Sequence, residues 1–432
     1  MKKTLQLLVL GMALTASPAP LLAQKVSTAN ITSLSAEKKA AAVDVTLTGT
    51  LTSTSNGDFR QLRDLCYQMQ TLNLKSATCP NIPKNALHSR HNLRTLTLPN
   101  ALKTIGSQAF FACDSLSGTL SIPKTATSIG ASAFAECKSI EGVEIPATSQ
   151  LQNIGSYAFE GCVSLSGTVT VPSKVTVLRD GVFARCSNLE GVNLNENLQS
   201  IGANAFAGCT KLSGEVALGR MITRIGASAF ADCSSLTHIS MPRALQQLGD
   251  AAFAGCNNLG GNIKLPESVQ YLGKGAFSGC SSVKSFSLPS TLSEVKAATF
   301  AGCTGLSALY VFAATPPAAD ASAFAGVDCK NVELYVPEGS EDAYKQADVW
   351  KEFKIETILA GIETVEAAAV GVAVEDGVLT LKNLPASSSV QLFNVQGQLL
   401  ESAVATGEAH FTLPQQGVYL VNINGKSQKV KY

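Results

Sequence analysis

Between residues 110 and 324 phenylalanine recurs ten times at an almost constant interval: Phe110, Phe134, Phe159, Phe183, Phe206, Phe230, Phe253, Phe277, Phe300 and Phe324, in steps of 23 to 25 residues. At nine of these positions a cysteine follows three residues later: Cys113, Cys137, Cys162, Cys186, Cys209, Cys233, Cys256, Cys280 and Cys303. A unit of this length cannot bury its own apolar face and must stack on its neighbours, so the period dictates a solenoid. It constrains the ligand far less, because the repeated positions belong to the scaffold.

One unit shows how the coil is built. Around Leu236, apolar Ile239 and Met241 alternate with polar His238 and Ser240, the period of a strand with one buried face. Pro242 ends that strand, since it has no amide to give a ladder. Leu245 and Leu248 return inward, Gly249 permits a turn, and Ala252, Phe253 and Cys256 share one face of a helical turn. A strand plus one short return per coil is the layout of a leucine-rich repeat. A second period lies inside the first: Leu116 to Leu120, Leu165 to Val169, Leu212 to Val216 and Leu259 to Ile263 are one residue longer than the matching stretches at Ile140, Leu189, Leu236 and Val283. The longer form carries Gly118, Gly167, Gly214 or Gly260-Gly261, which predicts an extra residue before every second strand.

The flanks differ in kind. Met1-Lys2-Lys3, an apolar run and then small residues read as a secretory signal peptide cut after Ala23. No later stretch is long and apolar enough for a transmembrane segment in the mature chain. Residues 24 to 80 read as an N-terminal cap, with a strand at Val43–Thr48 and Phe59, Leu62, Leu65 and Met69 at helical spacing. Leu87 stands in a degenerate first coil that has Arg90 where cysteine would be. The repeats run over 81–308, and 309–358 form the last coil and a C-terminal cap, where Ser340 is placed to cap a helix carrying Tyr344, Trp350 and Phe353. Residues 359–432 alternate as strands punctuated by Gly397, Gly407 and Asn424-Gly425 and read as a separate small all-β sandwich. The expected architecture is thus a leucine-rich repeat solenoid of α/β type, with about 11 coils each of strand plus short helical turn, followed by that sandwich.

The A-F-x-x-C coils, together with the closing residues Pro316-Pro317, Phe324, Leu334 to Pro337, Gly339, Tyr344 and Trp350 to Phe353, resemble the BspA-like leucine-rich repeat proteins of Bacteroidetes and related bacteria. The resemblance implies a surface adhesin or antigen. The last stretch, V-Q-L-F-N-V-Q-G-Q at 390–398 and L-P-Q-Q-G-V-Y-L-V-N-I at 413–423, resembles the sorting domain of type IX secretion cargo. Gly397, Gly417, Tyr419 and Lys429 carry that likeness, which implies export across the outer membrane by its secretion machinery and attachment at the surface of a Gram-negative cell.

Twelve cysteines in an exported chain invite a disulfide framework. The nine spaced cysteines, however, occupy one equivalent position per coil, so they stack with parallel side-chain vectors that do not converge as a bridge requires. They read as buried thiols packed as small hydrophobes, in one column beside the phenylalanines. Cys66 and Cys79 are the pair left open to bridge within the cap. No pair has C-x-x-C spacing, which argues against zinc, and no cofactor is expected.

The 33 Lys and Arg nearly balance the 32 Asp and Glu, so no field gathers nucleic acid. Four histidines, His88, His91, His238 and His410, form no H-E-x-x-H, and no G-x-S-x-G occurs. The expectation is a non-catalytic chain whose partner is a protein on host or neighbouring cells. A structural, envelope-organising role stands second and an enzyme a distant third. Counted outward along the strands, the residues are small and polar: Thr119, Ser121, Glu144, Thr168, Thr170, Asn193, Glu215, His238, Ser240, Asn262, Lys264, Ser285 and Ser287. Aromatic and Arg anchors are missing until Tyr310, so His238, Asn262, Lys264 and Tyr310 are the candidate ligand contacts.

Overall fold

The computed structural model describes residues 24–52, 57–358, 371–375, 378–394, 399–413, 418–423 and 426–431. The signal-peptide reading at 1–23, together with Gly397, Gly417 and Asn424-Gly425, lies outside the described residues. The chain divides into two compact units, the first ending at Leu309 but also holding Pro317–Val332, the second made of Tyr310–Pro316 and Glu333 onward.

The first unit is the leucine-rich repeat solenoid. It opens on four parallel strands, Gln24–Thr28, Ala42–Leu47, Thr71–Asn73 and Thr95–Thr97. The cap is held by Asp58, a buried carboxylate whose Oδ1 accepts from Ile31 N at 2.8 Å and whose Oδ2 accepts from Thr52 N at 2.9 Å and Thr52 Oγ1 at 3.0 Å. Its helix, Asp58–Leu65, is shorter than the apolar spacing suggested: Met69 is buried beyond it and Leu65 is 40% exposed. Cys66 and Cys79 are buried free thiols.

Each coil then repeats one layout. The front strands come in parallel pairs, Gly118–Ser121 with Ile140–Glu144, Thr168–Thr170 with Gly191–Asn193, Gly214–Val216 with Leu236–Ile239, and Gly261–Lys264 with Val283–Leu288. The ladder slips by one residue after Gly118, Gly214 and Gly261, each of which has positive φ. A Cβ at these three would meet nothing within 4 Å, so glycine serves the backbone angle and not the space.

A second ladder of two-residue parallel strands runs along the return side. Asn81–Ile82, Thr104–Ile105, Ser128–Ile129 and Asn153–Ile154 form one stretch. Val177–Leu178, Ser200–Ile201, Arg224–Ile225, Gln247–Leu248 and Tyr271–Leu272 form the next. The second residue of each is buried. After this strand, the glycine of I-G is required by its neighbour: a Cβ on Gly226 would lie 2.5 Å from Ala203 N and 2.6 Å from Gly202 C in the preceding coil. Gly226→Ala should therefore lower stability by about 1–3 kcal/mol, the cost of forcing backbone aside in a packed interior. Chemical denaturation is the check, and an unchanged midpoint would mean the coils can separate there at no cost.

The A-F-x-x-C segment is not the helical turn that the spacing suggested. Residues two before and two after the phenylalanine take left-handed backbone angles, as at Gln108 (φ 55°) and Ala112 (φ 54°). Every second amide turns along the stack, while Ala109 N, Phe111 N and Cys113 N close tight turns within the segment on Gly106 O, Gln108 O and Phe110 O at 3.2 to 3.3 Å. Gln108 N, Phe110 N and Ala112 N donate to Ala131 O, Ala133 O and Ala135 O, all at 2.8 Å. A helix would bond to itself and leave the coils without this third ladder. Left-handed non-glycine residues persist only where the surroundings over-determine them, and these repeated inter-coil bonds do so.

Inside, the phenylalanine rings from Phe110 to Phe324 form one near-parallel column, with centroids 5.2 to 6.0 Å apart and interplanar angles of 2° to 17°. Beside it, the thiols from Cys137 to Cys303 each donate to the carbonyl of the phenylalanine one coil earlier, at 3.1 to 3.3 Å. Cysteine fits because it is small and apolar yet carries one weak donor for a buried carbonyl. In the first coil, Arg90 takes the place of this thiol: its Nη1 donates to Arg63 O at 2.9 Å and its Nη2 to Cys66 O. Arg63 Nη1 in turn donates to Asn85 O at 3.0 Å, a carbonyl of the first coil. Two guanidiniums thus tie the cap helix to the open end of the stack.

In the second unit, strand Glu333–Pro337 pairs in parallel with Lys354–Ile358. The helix there covers only Glu341–Gln346, and Trp350 sits in a separate 3-10 turn, Trp350–Glu352. Ser340 does not cap the helix with its side chain. Its Oγ donates instead to Pro337 O at 2.5 Å, since its backbone is already helical at φ −100°, ψ −3°. Tyr344 packs edge-on against Trp350 and its hydroxyl donates to Ala313 O at 2.7 Å. Further on, Gly371–Glu375, Val378–Asn394, Leu399–Thr412, Val418–Ile423 and Lys426–Lys431 form one antiparallel sheet over an apolar core that includes Leu381, Leu392, Phe411, Tyr419 and Val421. Lys429 lies in the last strand opposite Leu420.

Candidate functional site

The front strand face holds the residues singled out from the sequence, and in the first unit they are largely occupied with one another. Within successive strand pairs, Ser121 Oγ donates to Glu144 Oε2 at 2.9 Å, Asn193 Nδ2 to Thr170 Oγ1 at 3.3 Å, Ser240 Oγ to Glu215 Oε1 at 3.2 Å and Ser285 Oγ to Asn262 Oδ1 at 2.8 Å. Ser285, counted as outward, is buried, because the register sets it opposite Asn262 and its hydroxyl turns onto that amide. His238 is exposed, with Nδ1 3.0 Å from Thr237 Oγ1, and Lys264 is exposed at the end of its strand.

Tyr310 belongs to the second unit and is not a free anchor. It is half-buried and stacks on Tyr335 at 4.7 Å and 9°. Tyr335 in turn donates its hydroxyl to Glu333 Oε2 at 2.5 Å. Burial, and then the Glu333 carboxylate, raise the Tyr310 hydroxyl above the ordinary phenol value. The structure thus brings Asn262 and Lys264 onto one strand, with His238 on a strand of the neighbouring pair. Of the two histidines of the first coil, His91 Nδ1 lies 3.0 Å from Asp114 Oδ1 on an exposed surface and His88 Nδ1 lies 3.5 Å from Ser89 Oγ. Among the described residues no group of three or more His, Cys, Asp or Glu could hold a metal ion.

The return ladder carries the side chains that the front face lacks. Arg224, Gln247 and Tyr271 occupy the same position in three successive coils, paired Arg224 to Gln247 and Gln247 to Tyr271. All three are exposed, Tyr271 at 38%. Gly226, Ala227 and Gly249 together with Arg224, Gln247, Asp250 and Tyr271 line a shallow cleft on this side. Tyr271 is fixed: its hydroxyl donates to Asp250 Oδ1 at 2.9 Å, the same oxygen accepts from Lys274 N at 3.0 Å, and Lys296 Nζ lies 3.8 Å from its ring centroid. Counting only the front strands as a ligand face hides this cleft. Its signal was a tyrosine at an outward position that other coils fill with Thr104, Ser128, Asn153 or Ser200.

The buried thiols of the column from Cys162 to Cys303 are held protonated. Burial pushes Cys162, Cys209, Cys256 and Cys303 up to about 12, and Cys186 and Cys233 well above the ordinary thiol value.

The family model described as BspA type leucine-rich repeat region matches in six copies over residues 30–120, 117–233 and 214–333. Among curated proteins none matches the chain. Similar solved structures include a leucine-rich repeat protein from Bacteroides ovatus, 22% identical with TM-score 0.44, covering 73% of this chain and 92% of that one. Another is a leucine-rich cell surface protein from Faecalibacterium prausnitzii, 24% identical with TM-score 0.34, covering 59% and 83%. A third, a leucine-rich repeat protein from Eubacterium ventriosum, is 17% identical with TM-score 0.43, covering 70% and 89%. With the family match running through the cap and the coils alike, and the phenylalanine and cysteine columns in place along the stack, this chain belongs to the BspA-type leucine-rich repeat proteins.

Proposed function

We propose that this chain is a secreted, non-catalytic surface protein whose repeat unit binds a protein of the host or of neighbouring cells. The observation that carries the reading is the BspA-type repeat match, which implies a binding or structural role for the coils. Residues 1–23 act as a signal peptide, and the β unit from about residue 361 acts as the export and sorting domain read by outer-membrane secretion machinery. The motif likeness at 390–398 and 413–423 supports that assignment. Deleting 361–432 should leave a folded repeat unit in the periplasm of the native host, detected by fractionation and protease shaving. Normal display of the truncated protein would sink the export assignment.

A second reading, an envelope-organising protein without a specific ligand, is favoured by the front face itself, where hydroxyls, amides and carboxylates satisfy one another. Capture of host matrix and neighbouring-cell proteins on the full chain separates the two. On the binding reading, a captured protein is lost or weakened by Lys264→Glu and untouched by Ser121→Ala with Thr170→Ala. Capture that is indifferent to every front-face change, or absent altogether, favours the envelope role.

A further inference from the structure

From the cleft on the return ladder we infer a second binding site, for a neutral carbohydrate, distinct from the front strand face and independent of any protein partner. The walls define the chemistry. Tyr271 presents an aromatic ring at the rim, held in place through its hydroxyl on Asp250 and by Lys296 over the ring. An aromatic plate anchored in this way offers large contact area at little cost in side-chain freedom, which suits the C–H face of a sugar ring.

Around that plate stand a carboxylate, an amide and a guanidinium. Asp250 uses Oδ1 for Tyr271 and for Lys274 N, which leaves Oδ2 to accept from a ligand hydroxyl. Gln247 supplies both a donor and an acceptor, and Arg224 supplies donors only. Arg224 and Tyr271 flank Gln247 in a parallel ladder, so their backbones are two strand spacings apart, about 10 Å. Gln247 stands between them, so a ligand would lie along the row of three side chains and meet the guanidinium, the amide and the ring in turn, as an extended oligosaccharide can.

Charge excludes the alternatives. An anion would meet Asp250, a cation would meet Arg224 and Lys296, and an apolar ligand would strip water from Asp250, Gln247 and Arg224 without replacing its hydrogen bonds. A hydroxyl-rich neutral ring is what can satisfy a donor, an acceptor and an aromatic face together. The cleft is shallow, so a single site binds weakly and many displayed copies would act together.

The test is titration calorimetry of the full chain with cellohexaose, maltohexaose, mannohexaose and chitohexaose, with a sulfated heparin hexasaccharide as the charged comparison. At least one neutral hexasaccharide should bind. Tyr271→Ala should weaken it about tenfold or more and Arg224→Ala several-fold, as expected for loss of an anchoring aromatic and of a hydrogen-bonding wall. Tyr271→Phe, which keeps the ring but loses its hydroxyl anchor on Asp250, should weaken binding less than Tyr271→Ala, and thermal midpoints of all three variants should match the parent. Should Tyr271→Ala fail to fold, Arg224→Ala carries the test. The assignment is overturned if no neutral hexasaccharide binds, if the heparin hexasaccharide is preferred, or if binding survives both Tyr271→Ala and Arg224→Ala.

Discussion

Phe206→Ala should lower the stability of the repeat unit by about 3–5 kcal/mol, the range for deleting a buried aromatic ring that its surroundings cannot close over. Phe206 is fully buried between Phe183, 5.8 Å away, and Phe230, 5.2 Å away. Those rings cannot move together into the gap, because each is also stacked on the next coil and its amide is tied there, as Phe206 N is to Ala229 O at 2.8 Å. A solenoid propagates such a loss only through nearest neighbours, so the change should also split one cooperative transition into two, with the break near residues 183–230. Denaturant melts followed by circular dichroism, and hydrogen exchange resolved by coil, measure both effects. A midpoint equal to the parent's would show that the column tolerates a missing ring.

The second large effect is alkaline. A thiol whose folded value is raised contributes stability that is whole below the unfolded value, near pH 9, and is lost as pH climbs toward the folded value. For Cys162, Cys209, Cys256 and Cys303 the folded value is about 12, so the window runs from about pH 9 to 12. Through it each of the four costs about 1.4 kcal/mol per pH unit, on the order of 5 kcal/mol together by pH 10. The repeat unit should therefore unfold within one to two pH units above 9, and replacing these four cysteines with alanine should flatten the fall even though it lowers stability at neutral pH. Stability that stays level between pH 8.5 and 10.5 would contradict the burial of the column. The same raised values predict that the folded chain resists alkylation at these sites at pH 7, whereas the denatured chain takes up label without prior reductant.

How much of this was legible beforehand varied with the kind of interaction. The positions of Phe110 to Phe324 and of the cysteines that follow were readable because a stacked core demands the same residue at the same place in each coil. The glycines of the longer strands were readable too, since glycine takes a left-handed backbone angle without strain, whereas the same angle at Gln108 or Ala112 leaves no mark in residue type. The form of the A-F-x-x-C segment was not. Apolar spacing of one and four is shared by a helical turn and by the path that the chain takes, with left-handed residues two before and two after the phenylalanine, and the two differ in where the amides point.

Arg90 illustrates the same limit. Its departure from the cysteine pattern marked an end coil, but its bonds to Arg63 O and Cys66 O depend on where the cap helix docks. The candidate ligand residues suffered most. Strand alternation correctly turned His238, Asn262 and Lys264 outward, yet Tyr310 turned out to be stacked on Tyr335, a partner 25 residues on that no local period encodes. The cleft at Tyr271 depends on three coils whose residues lie up to 47 positions apart.

By itself, then, the sequence determined the coil, its period, the inward columns and the family, because those follow from burial repeated at a fixed interval. The tertiary structure alone decided which polar groups satisfy one another across neighbouring coils, which way the turn amides point, and which side chains of successive coils come together around a cleft. These are relations between coils, and a periodic sequence specifies its neighbours' identity without specifying which of their side chains meet.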